Sequence, residues 1–185
     1  DGTTLLMAAN YLAIAPGMYK KMSYDPIKDL TPVTLVGSIP MVLVVNPAVP
    51  ARTVAELVAL AKSKPAELTY ATPGLGTSTH LASELFKQQT GTDIRHVPYR
   101  ANPLAMNDVI GGQVPVVFDF VTTGAPQVQS GKVRGLATTG LKRSPVLPEL
   151  PTMIEAGIPN FEATTWIAVF AAAGTPRNTV LRLHN

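Results

Sequence analysis

The sequence predicts an α/β fold, a largely parallel sheet with helices on both faces. Short apolar, β-branched runs alternate along the 185-residue chain with segments that carry helix caps and helical periodicity. Such alternation is typical of parallel sheets, because two parallel strands are usually joined by a crossover helix. Glycine and small polar residues follow several of the predicted strands, at the positions where open α/β sheets bind ligands.

The first fifty residues predict strands joined by short connections. Apolar runs predict three strands, over residues 3–9, 33–36 and 41–45. Gly37, Ser38 and Pro40 separate the second strand from the third. Between the first two strands we expect a loop over residues 10–15 and about one helical turn over residues 16–20.

Residues 69–86 contain a short strand, a glycine-containing turn and a helix. Period-2 alternation around Tyr70 predicts the strand. Pro73, Gly74 and Gly76 end it with a loop that is poor in side chains. Backbone N–H groups and hydroxyls at such a turn converge on one spot, which suits a small anion. Two interpretations stay open at this point: an anion site, or glycines that only make a tight turn.

The helix after this turn and the later elements continue the alternation. Thr77 or Ser78 can cap this helix, whose apolar stripe is expected to contain Leu81, Leu85 and Phe86. Further strands are predicted over residues 94–97, 114–118 and 133–138 and within 161–172. Further helices are predicted over residues 53–63, opened by a Thr-Val-Ala-Glu capping box, over 102–110 and 122–130, and after 175–176.

Three loops that follow predicted strands carry small polar residues, at positions 8–11, 72–79 and 119–123. Their coincidence favours a ligand-binding cleft more strongly than the central turn does alone. Asp119 is the acid at a strand end that faces this predicted cleft. It could orient loops, accept a hydrogen bond from a ligand or cap the following helix, and capping is the role we expect.

Catalytic and metal sites are not predicted. Residues 76–80 differ from a nucleophile elbow, because His80 stands where that motif has glycine. Ser78 and His80 are two residues apart, so their side chains diverge on a helix. The turn lacks the Gly-Lys pair of a phosphate-binding loop, and no spacing of His, Asp or Glu suggests a metal site. His96 is expected to be a hydrogen-bonded core residue. We therefore predict no catalytic residue, metal or cofactor.

Composition narrows the class of protein further. At 46% hydrophobic and 15% charged residues, the chain can bury a normal core. The net charge is only +3 and the Lys and Arg residues are scattered, which argues against nucleic-acid binding despite a pI near 9.3. The longest apolar run, residues 166–173, is too short for a membrane helix and predicts a buried strand. A core strand that begins at the third residue suggests that the native protein starts earlier.

A series of motifs runs along nearly the whole chain. They are D-G-x-T-L-L-M at 1–7, Y-D-P at 24–26, V-L-V-V-N-P at 42–47, G-x-G-T-S-x-H-L at 74–81, E-L-F-K at 84–87, H-V-P-Y at 96–99, G-G-Q-V at 111–114, F-D at 118–119, A-x-T-x-x-K-R-S at 137–144, L-P-x-L-P-T at 147–152, E-A-G at 155–157 and A-G-T-P at 173–176. In these motifs and their order the chain resembles the Bug/TctC family, the extracytoplasmic substrate-binding proteins of tripartite tricarboxylate transporters.

The resemblance implies a periplasmic binding protein-like (type II) fold of two lobes that closes on a small carboxylate. The first lobe would comprise residues 1–46 and 165–185, and the second lobe residues 47–164. Residues 42–46 and 163–167 would be the crossing strands of the hinge. Family members also carry an upstream strand with a P-G-G loop and a closing helical region. The first lobe is therefore expected to be incomplete here, and the chain to self-associate or to have a poorly ordered first lobe.

The resemblance also implies the ligand site. From the second lobe, the ligand carboxylate would be held by Thr72, Pro73, Gly76, Thr77 and Ser78, with Asp119 lining the floor. From the first lobe, the loop that contains Ala9 and Asn10 would contribute. This loop departs from the family, because alanine, asparagine and tyrosine stand where small Gly, Ser or Thr residues are usual.

The function implied is capture of a small organic acid by lobe closure in the periplasm, and delivery of that acid to the permease subunits of a tripartite transporter. The alternative is a ligand-sensing domain of the same fold that acts in signalling. An enzyme is the third possibility, and it would require Ser78 to be essential for turnover.

Overall fold

The computed structural model describes residues 2–184, so Asp1 and Asn185, at the ends of the predicted first lobe, lie outside the described residues. The strands are β1 (Leu5–Ala9), β2 (Leu30–Val45), β3 (Thr69–Thr72), β4 (Arg95–Pro98), β5 (Val116–Phe120), β6 (Arg134–Thr138) and β7 (Thr164–Ala172). The helices are α1 (Tyr11–Met18), α2 (Val54–Ser63), α3 (Ser78–Thr90), α4 (Asn102–Ile110), α5 (Val121–Gln129) and α6 (Arg177–His184). No helix within residues 2–184 is long and apolar enough to cross a membrane.

The chain forms two compact units. The first comprises the residues up to Ser38 and those from Thr165 onward, and the second is Ile39–Thr164. The chain passes between the units within β2 and again at the start of β7. Of the two predicted hinge segments, residues 42–46 lie inside the second unit and residues 163–167 span the division. The assignment of these units to two lobes that close about a hinge stays a prediction.

The prediction of a largely parallel sheet is wrong, because the second unit contains a mixed sheet, with helices on both faces. β3 is parallel to both β4 and β5, whereas β2 pairs antiparallel with β5 and β6. Val42 and Val44 of β2 belong to one apolar cluster, with residues of α4 and α5. Met41, Leu43 and Val45 belong to another, with residues of α2 and α3. A strand whose alternate residues enter two apolar clusters is buried on both faces, as in the central strands of α/β proteins.

The first unit contains β1, β7, α1 and α6. β1 pairs antiparallel with β7, from Leu5 opposite Ala171 to Ala9 opposite Ile167. The prediction that the first strand is buried is wrong, because only Ala8 of β1 is buried, and Met7 is 66% exposed. β1 lies at one end of the strand order, and a strand at a sheet edge has fewer neighbours to cover it. β7 is only partly buried as well.

Two sequence predictions for the segment before residue 46 are wrong. Residues 10–15 are not a loop but open the helix α1, in which Pro16 lies internally. The Leu-Ala-Ile-Ala run before Pro16 consists largely of good helix formers and outweighs the proline. Residues 33–36 and 41–45 are parts of one strand, β2. Its ladder with β5 begins only at Met41, so the missing N–H of Pro40 lies outside that ladder.

The predicted helices of the second unit are confirmed, with one difference in packing. α2 begins after the cap formed by Thr53, whose side chain accepts a hydrogen bond from Glu56 N. In α3, Phe86 is buried and Leu85 packs against the core, but Leu81 is 41% exposed. The buried face instead includes Ser83, whose hydroxyl donates to Thr79 O at 2.8 Å. This intrahelical bond satisfies the hydroxyl and allows its burial.

Candidate functional site

The carboxyl ends of the parallel strands β3, β4 and β5 lie at one edge of the sheet in the second unit. Thr72 ends β3 and pairs with Pro98 of β4, and Tyr99 N donates to Thr72 O at 2.8 Å. Ala71 pairs with Val117 of β5. Asp119 lies near the end of β5, which is Val116–Phe120, at this same edge. This edge is where open α/β sheets bind ligands.

Residues 72–79, which we call the 72–79 turn, connect β3 to α3. Gly74 and Gly76 have φ angles of +128° and +74°, a region that glycine enters without steric cost. Gly74 N donates to Thr72 Oγ1 at 3.2 Å, and Thr77 Oγ1 donates to Gly74 O at 2.8 Å. The hydroxyls of Thr72 and Thr77 therefore brace the turn itself. Their convergence on a ligand, which the sequence suggests, stays a prediction.

The helix α3 begins directly at this turn. Thr77 is its N-cap, and Thr77 Oγ1 accepts a hydrogen bond from His80 N at 3.3 Å. Of the two caps left open by the sequence, the structure therefore has Thr77. Ser78 is the first helical residue, so its backbone N–H belongs to the first turn. The first turn of a helix carries N–H groups without intrahelical acceptors and a partial positive charge, and both favour an anion.

Two histidines lie against the 72–79 turn. His80 Nδ1 accepts a hydrogen bond from Gly76 N at 3.4 Å, and His96 Nε2 lies 2.6 Å from Thr72 Oγ1. The two imidazole rings are 4.7 Å apart. His96 has the predicted hydrogen bond, but it is half-buried rather than a core residue. The sequence suggests His80 only as a possible catalytic base and does not predict its contact with Gly76. The i, i+4 spacing of Gly76 and His80 is the one feature of the sequence that indicates this contact.

A cluster of polar side chains adjoins the histidines. The ring of the buried Tyr70 stacks on His96 with 5.1 Å between centroids, and Tyr70 OH donates to Glu84 Oε1 at 2.5 Å. Lys87 Nζ donates to the same oxygen at 2.8 Å. Burial raises the pKa of Glu84, but the bonds from Lys87 and Tyr70 outweigh it, so that the net pKa is below its ordinary value. The charge of Glu84 is thus compensated locally.

Asp119 is buried, with 2% of its surface exposed. Its Oδ1 accepts hydrogen bonds from Asn102 Nδ2 and, at 2.8 Å, from Phe120 N. Burial raises the pKa of Asp119 above its ordinary value despite these bonds. The expectation that Asp119 caps α5 is wrong, because the N-cap of α5 is Phe120 and no side chain makes a cap hydrogen bond there. The carboxyl belongs to the end of β5, one residue before the cap.

A cavity of about 250 Å³ lies beside Asp119, between residues of α4 and α5. Asn102 and Thr123 are among the side chains that line it. Asn102 Oδ1 is buried and has no hydrogen-bond partner in the structure. Sequence analysis did not identify Asn102. The position of Asn102, four residues after β4 and at the same sheet edge as Asp119, is the signal from which it could have been identified.

The remaining predicted site residues, Ala9 and Asn10, belong to the first unit. Ala9 ends β1, and Asn10 is at the N-cap position of α1 without a side-chain cap bond. The carbonyl of Asn10 accepts from Ala13 N at 2.9 Å. The structure thus groups the turn residues Thr72, Pro73, Gly76, Thr77 and Ser78, and Asp119 lies at the end of β5, at the same edge of the sheet. A role of any of these residues in ligand binding stays a prediction.

The groups at the carboxyl edge of β3–β5 suit hydrogen bonding to a ligand. Among residues 2–184, no group of three or more His, Asp or Glu side chains is arranged to hold a metal ion. The groups at the sheet edge are backbone amides, hydroxyls, two imidazoles and one buried carboxyl. The amides and hydroxyls of this set can bind and orient a small anion by hydrogen bonds.

These features define a periplasmic binding protein-like α/β fold with a candidate anion site at the edge of its sheet. The model of the TctC family, described as a tripartite tricarboxylate transporter family receptor, matches residues 1–185. The chain therefore belongs to the TctC family, and both the family resemblance and the predicted fold class are confirmed.

Curated relatives agree with this assignment. A UPF0065 protein in the tcbD-tcbE intergenic region of Pseudomonas sp. strain P51 is 40% identical over 185 residues, all of this chain and 55% of the relative. Protein BugT of Bordetella pertussis is 36% identical over 186 residues, with 100% of this chain and 57% of the relative covered. The chain thus spans little more than half the length of these relatives.

Solved structures have the same fold. Rpa4515 of R. palustris, solved with adipate, has a TM-score of 0.89 and 38% identity, covering 99% of this chain and 62% of that one. The periplasmic binding protein BugD has a TM-score of 0.86 and 34% identity, with 99% and 61% covered. MatC from Rhodopseudomonas palustris, solved with bound malate, has a TM-score of 0.83 and 30% identity, with 99% and 63% covered.

Proposed function

We propose that this protein is a periplasmic solute-binding protein that captures a small carboxylate by closure of two lobes. The ligand carboxylate would bind at the 72–79 turn, which includes the predicted residues Thr72, Pro73, Gly76, Thr77 and Ser78, with Asp119 on the floor of the site. Ala9 and Asn10 would contribute from the first lobe. The lobes would be residues 1–46 with 165–185, and residues 47–164.

The observation that carries this proposal is the position of the 72–79 turn. A glycine turn that runs into the N-terminus of a 13-residue helix lies at the carboxyl edge of β3–β5, in a chain whose structural relatives include proteins solved with adipate and malate. Adipate and malate are both small dicarboxylates. The family description, a transporter receptor, supports the same class of function.

Favourable interactions with a carboxylate are available at the turn without an arginine or lysine. A carboxylate at a helix N-terminus gains about 0.3–1 kcal/mol, or up to ~2 kcal/mol when partly buried. Each hydrogen bond to the charged group adds about 1.5–3 kcal/mol. Three or four such bonds, less the cost of ordering, account for much of the roughly 8 kcal/mol of micromolar binding.

Asp119 would set a preference for hydrogen-bond donors at the floor of the site. A buried carboxylate repels a second anion, whereas it accepts from a hydroxyl or an ammonium group. Asn102 Oδ1, which has no partner in the structure, would add a second acceptor. We therefore propose that the carboxylate end of the ligand lies at the turn and a donor or bridging water lies near Asp119.

The substitution Ser78→Asp tests the turn directly. A carboxylate at the first helical residue complements the helix dipole, so the melting temperature is expected to stay constant or rise. The same charge would repel a ligand carboxylate, and affinity for adipate and malate is expected to fall by about 10- to 100-fold, or ~1.4–2.8 kcal/mol. Isothermal titration calorimetry and thermal denaturation give the two readouts.

Ala55→Asp is the matched control for this experiment. Ala55 is an exposed residue in the first turn of α2, so the substitution adds the same charge at another helix N-terminus. Its affinity for the acids is expected to equal that of the wild type. Equal affinities of Ser78→Asp and the wild type would contradict a carboxylate site at the 72–79 turn.

We propose that the partner of this protein is the permease of a tripartite transporter, to which it delivers the bound acid. Vesicles that contain the permease should take up the bound acid only when the liganded protein is added. Uptake at the same rate without the protein would count against delivery. Specific capture of a signalling kinase in place of the permease would favour the sensor alternative.

A further inference from the structure

We propose that His80 and His96 are positioning residues for the 72–79 turn, and that protonation of His80 loosens the turn and weakens carboxylate binding. The first part concerns the geometry of the turn in the protein without ligand. The second part rests on the proposed function.

His80 holds the second glycine of the turn. Its Nδ1 accepts from Gly76 N at 3.4 Å, so this nitrogen must be without a proton and the neutral ring must carry its proton on Nε2. Gly76 has a φ of +74° and lies two residues before α3. The imidazole therefore fixes an amide at the point where the chain turns into the helix.

His96 holds the beginning of the same turn from β4. Its Nε2 lies 2.6 Å from Thr72 Oγ1, and that oxygen accepts from Gly74 N at 3.2 Å. Thr72 is fully buried. The first glycine is thus linked to His96 through one buried hydroxyl, and the second glycine is linked to His80 directly. Both glycines depend on neighbouring imidazoles that come from different elements.

The surroundings of the pair favour its neutral state. The two rings are 4.7 Å apart, so two imidazolium charges would repel each other. Burial lowers the pKa of both histidines below the ordinary value. Glu84 opposes this change and Lys87 reinforces it. Glu84 and Lys87 come from α3, and Tyr70 of β3 stacks on His96. Because Glu84 is already bonded to Tyr70 and Lys87, its charge is largely compensated.

Acidification is expected to break the contact at Gly76. A proton on His80 Nδ1 places two N–H donors opposite each other, so the bond is lost. The pKa of His80 is lower in the folded than in the unfolded protein. The free energy of unfolding is therefore also expected to fall as pH falls below about 6.5. A positive charge near the turn would by itself attract an anion, and the experiment must separate these two effects.

The substitution His80→Asn separates them, because the amide oxygen of asparagine can take the place of Nδ1 as an acceptor and does not titrate. His80→Ala removes the acceptor at every pH. His184→Gln serves as the control, since His184 lies in the first unit, where it contacts Val33 O at 2.8 Å. All variants are compared with the wild-type chain.

The first readout is hydrogen exchange of the Gly76 amide between pH 7.5 and pH 5, corrected for the intrinsic exchange rate. In the wild type and in His184→Gln, protection is expected to fall by about two- to tenfold as His80 takes its proton. It should stay constant in His80→Asn and be low throughout in His80→Ala. Titration of His80 without a change at Gly76 would overturn the proposal, whatever the protein binds.

The second readout is the ratio of wild-type to His80→Asn affinity for adipate, measured across the same pH range. The ratio cancels protonation of adipate itself. We expect it to fall by about two- to tenfold toward pH 5. A ratio that stays constant or rises would overturn the link to binding. If the wild type binds no carboxylate at pH 7.5, the proposed function fails, while the exchange of Gly76 still decides the positioning role.

Discussion

At the scale of single residues, the buried carboxyl of Asp119 combines a cost in stability with a proposed role in binding. Burial raises its pKa, which means that the charged form is disfavoured in the folded protein. For a group whose pKa is higher in the folded state, stability is lost as pH rises through the folded pKa. We therefore expect the protein to be less stable with Asp119 charged than with Asp119 protonated.

Asp119→Asn is expected to raise the free energy of unfolding at pH 7. The advantage over the wild type should shrink as pH falls toward 4, because the wild-type carboxyl then takes up a proton. Urea denaturation at the two pH values measures this change. Asp93→Asn, which neutralises an exposed acid, is the control and should leave stability nearly constant. A wild type that is more stable than Asp119→Asn at pH 7 would contradict this explanation.

Residue roles were only partly predictable from the sequence. The order of residues along the chain predicts that Asp119 lies near the end of a strand. It does not predict the side-chain amide of Asn102 that donates a hydrogen bond to Asp119. His80 and His96 come together because β3 and β4 pair in parallel, with Tyr70 opposite His96. Such a contact depends on long-range pairing, which local patterns do not contain.

At the scale of elements, the N-cap of α3 is expected to serve both stability and binding. Thr77→Ala removes the hydroxyl that accepts from His80 N and donates to Gly74 O. We expect a loss of about 1 kcal/mol, within the usual range of 0.5–2 kcal/mol for a cap. We also expect weaker carboxylate binding, because the turn loses a brace. Chemical denaturation and calorimetry measure the two effects.

Thr53→Ala provides the comparison for Thr77→Ala. Thr53 caps α2 by the same kind of bond, to Glu56 N at 3.2 Å. Its removal is expected to cost a similar amount of stability and to leave affinity constant. A similar loss of affinity in both variants would mean that the effect of Thr77→Ala comes from general destabilisation.

Local signals decided which elements could be predicted. The capping box of α2 and the Asn-Pro start of α4 lie within the elements they define, and both helices were predicted closely. Pro16 and Pro40 gave the wrong boundaries for α1 and β2, because the surrounding residues and the ladder to β5 outweighed the local signal of proline. Leu81 was placed on the wrong face because small hydroxyl residues are buried in α3 instead.

At the scale of the whole molecule, the first unit exposes apolar side chains on β1. Leu5, Leu6 and Met7 are all exposed, in a strand at the end of the strand order. Exposed apolar edge strands favour association with other chains. Self-association of this chain stays a prediction, and the exposed apolar side chains of β1 are the structural reason for it.

Met7→Lys is expected to reduce this self-association, since a charge on an edge strand opposes pairing with another chain. Sedimentation velocity over a range of protein concentrations measures it. Leu141→Lys is the control, because Leu141 is similarly exposed, at 63% against 66% for Met7, but lies in the second unit. A wild-type chain that stays monomeric at every concentration would contradict the prediction.

The family and the fold class were predictable because many motifs keep their order along the chain. The identity of the acid was not, since it depends on side-chain positions and bound water at the sheet edge. The central claim is that a ligand carboxylate binds at the 72–79 turn, and a crystal structure with bound adipate tests it most directly. We predict carboxylate oxygens within about 2.7–3.2 Å of N–H or O–H groups of Thr77 and Ser78, since the Gly76 N–H donates to His80. Adipate bound elsewhere, with this turn in contact with solvent only, would contradict the claim.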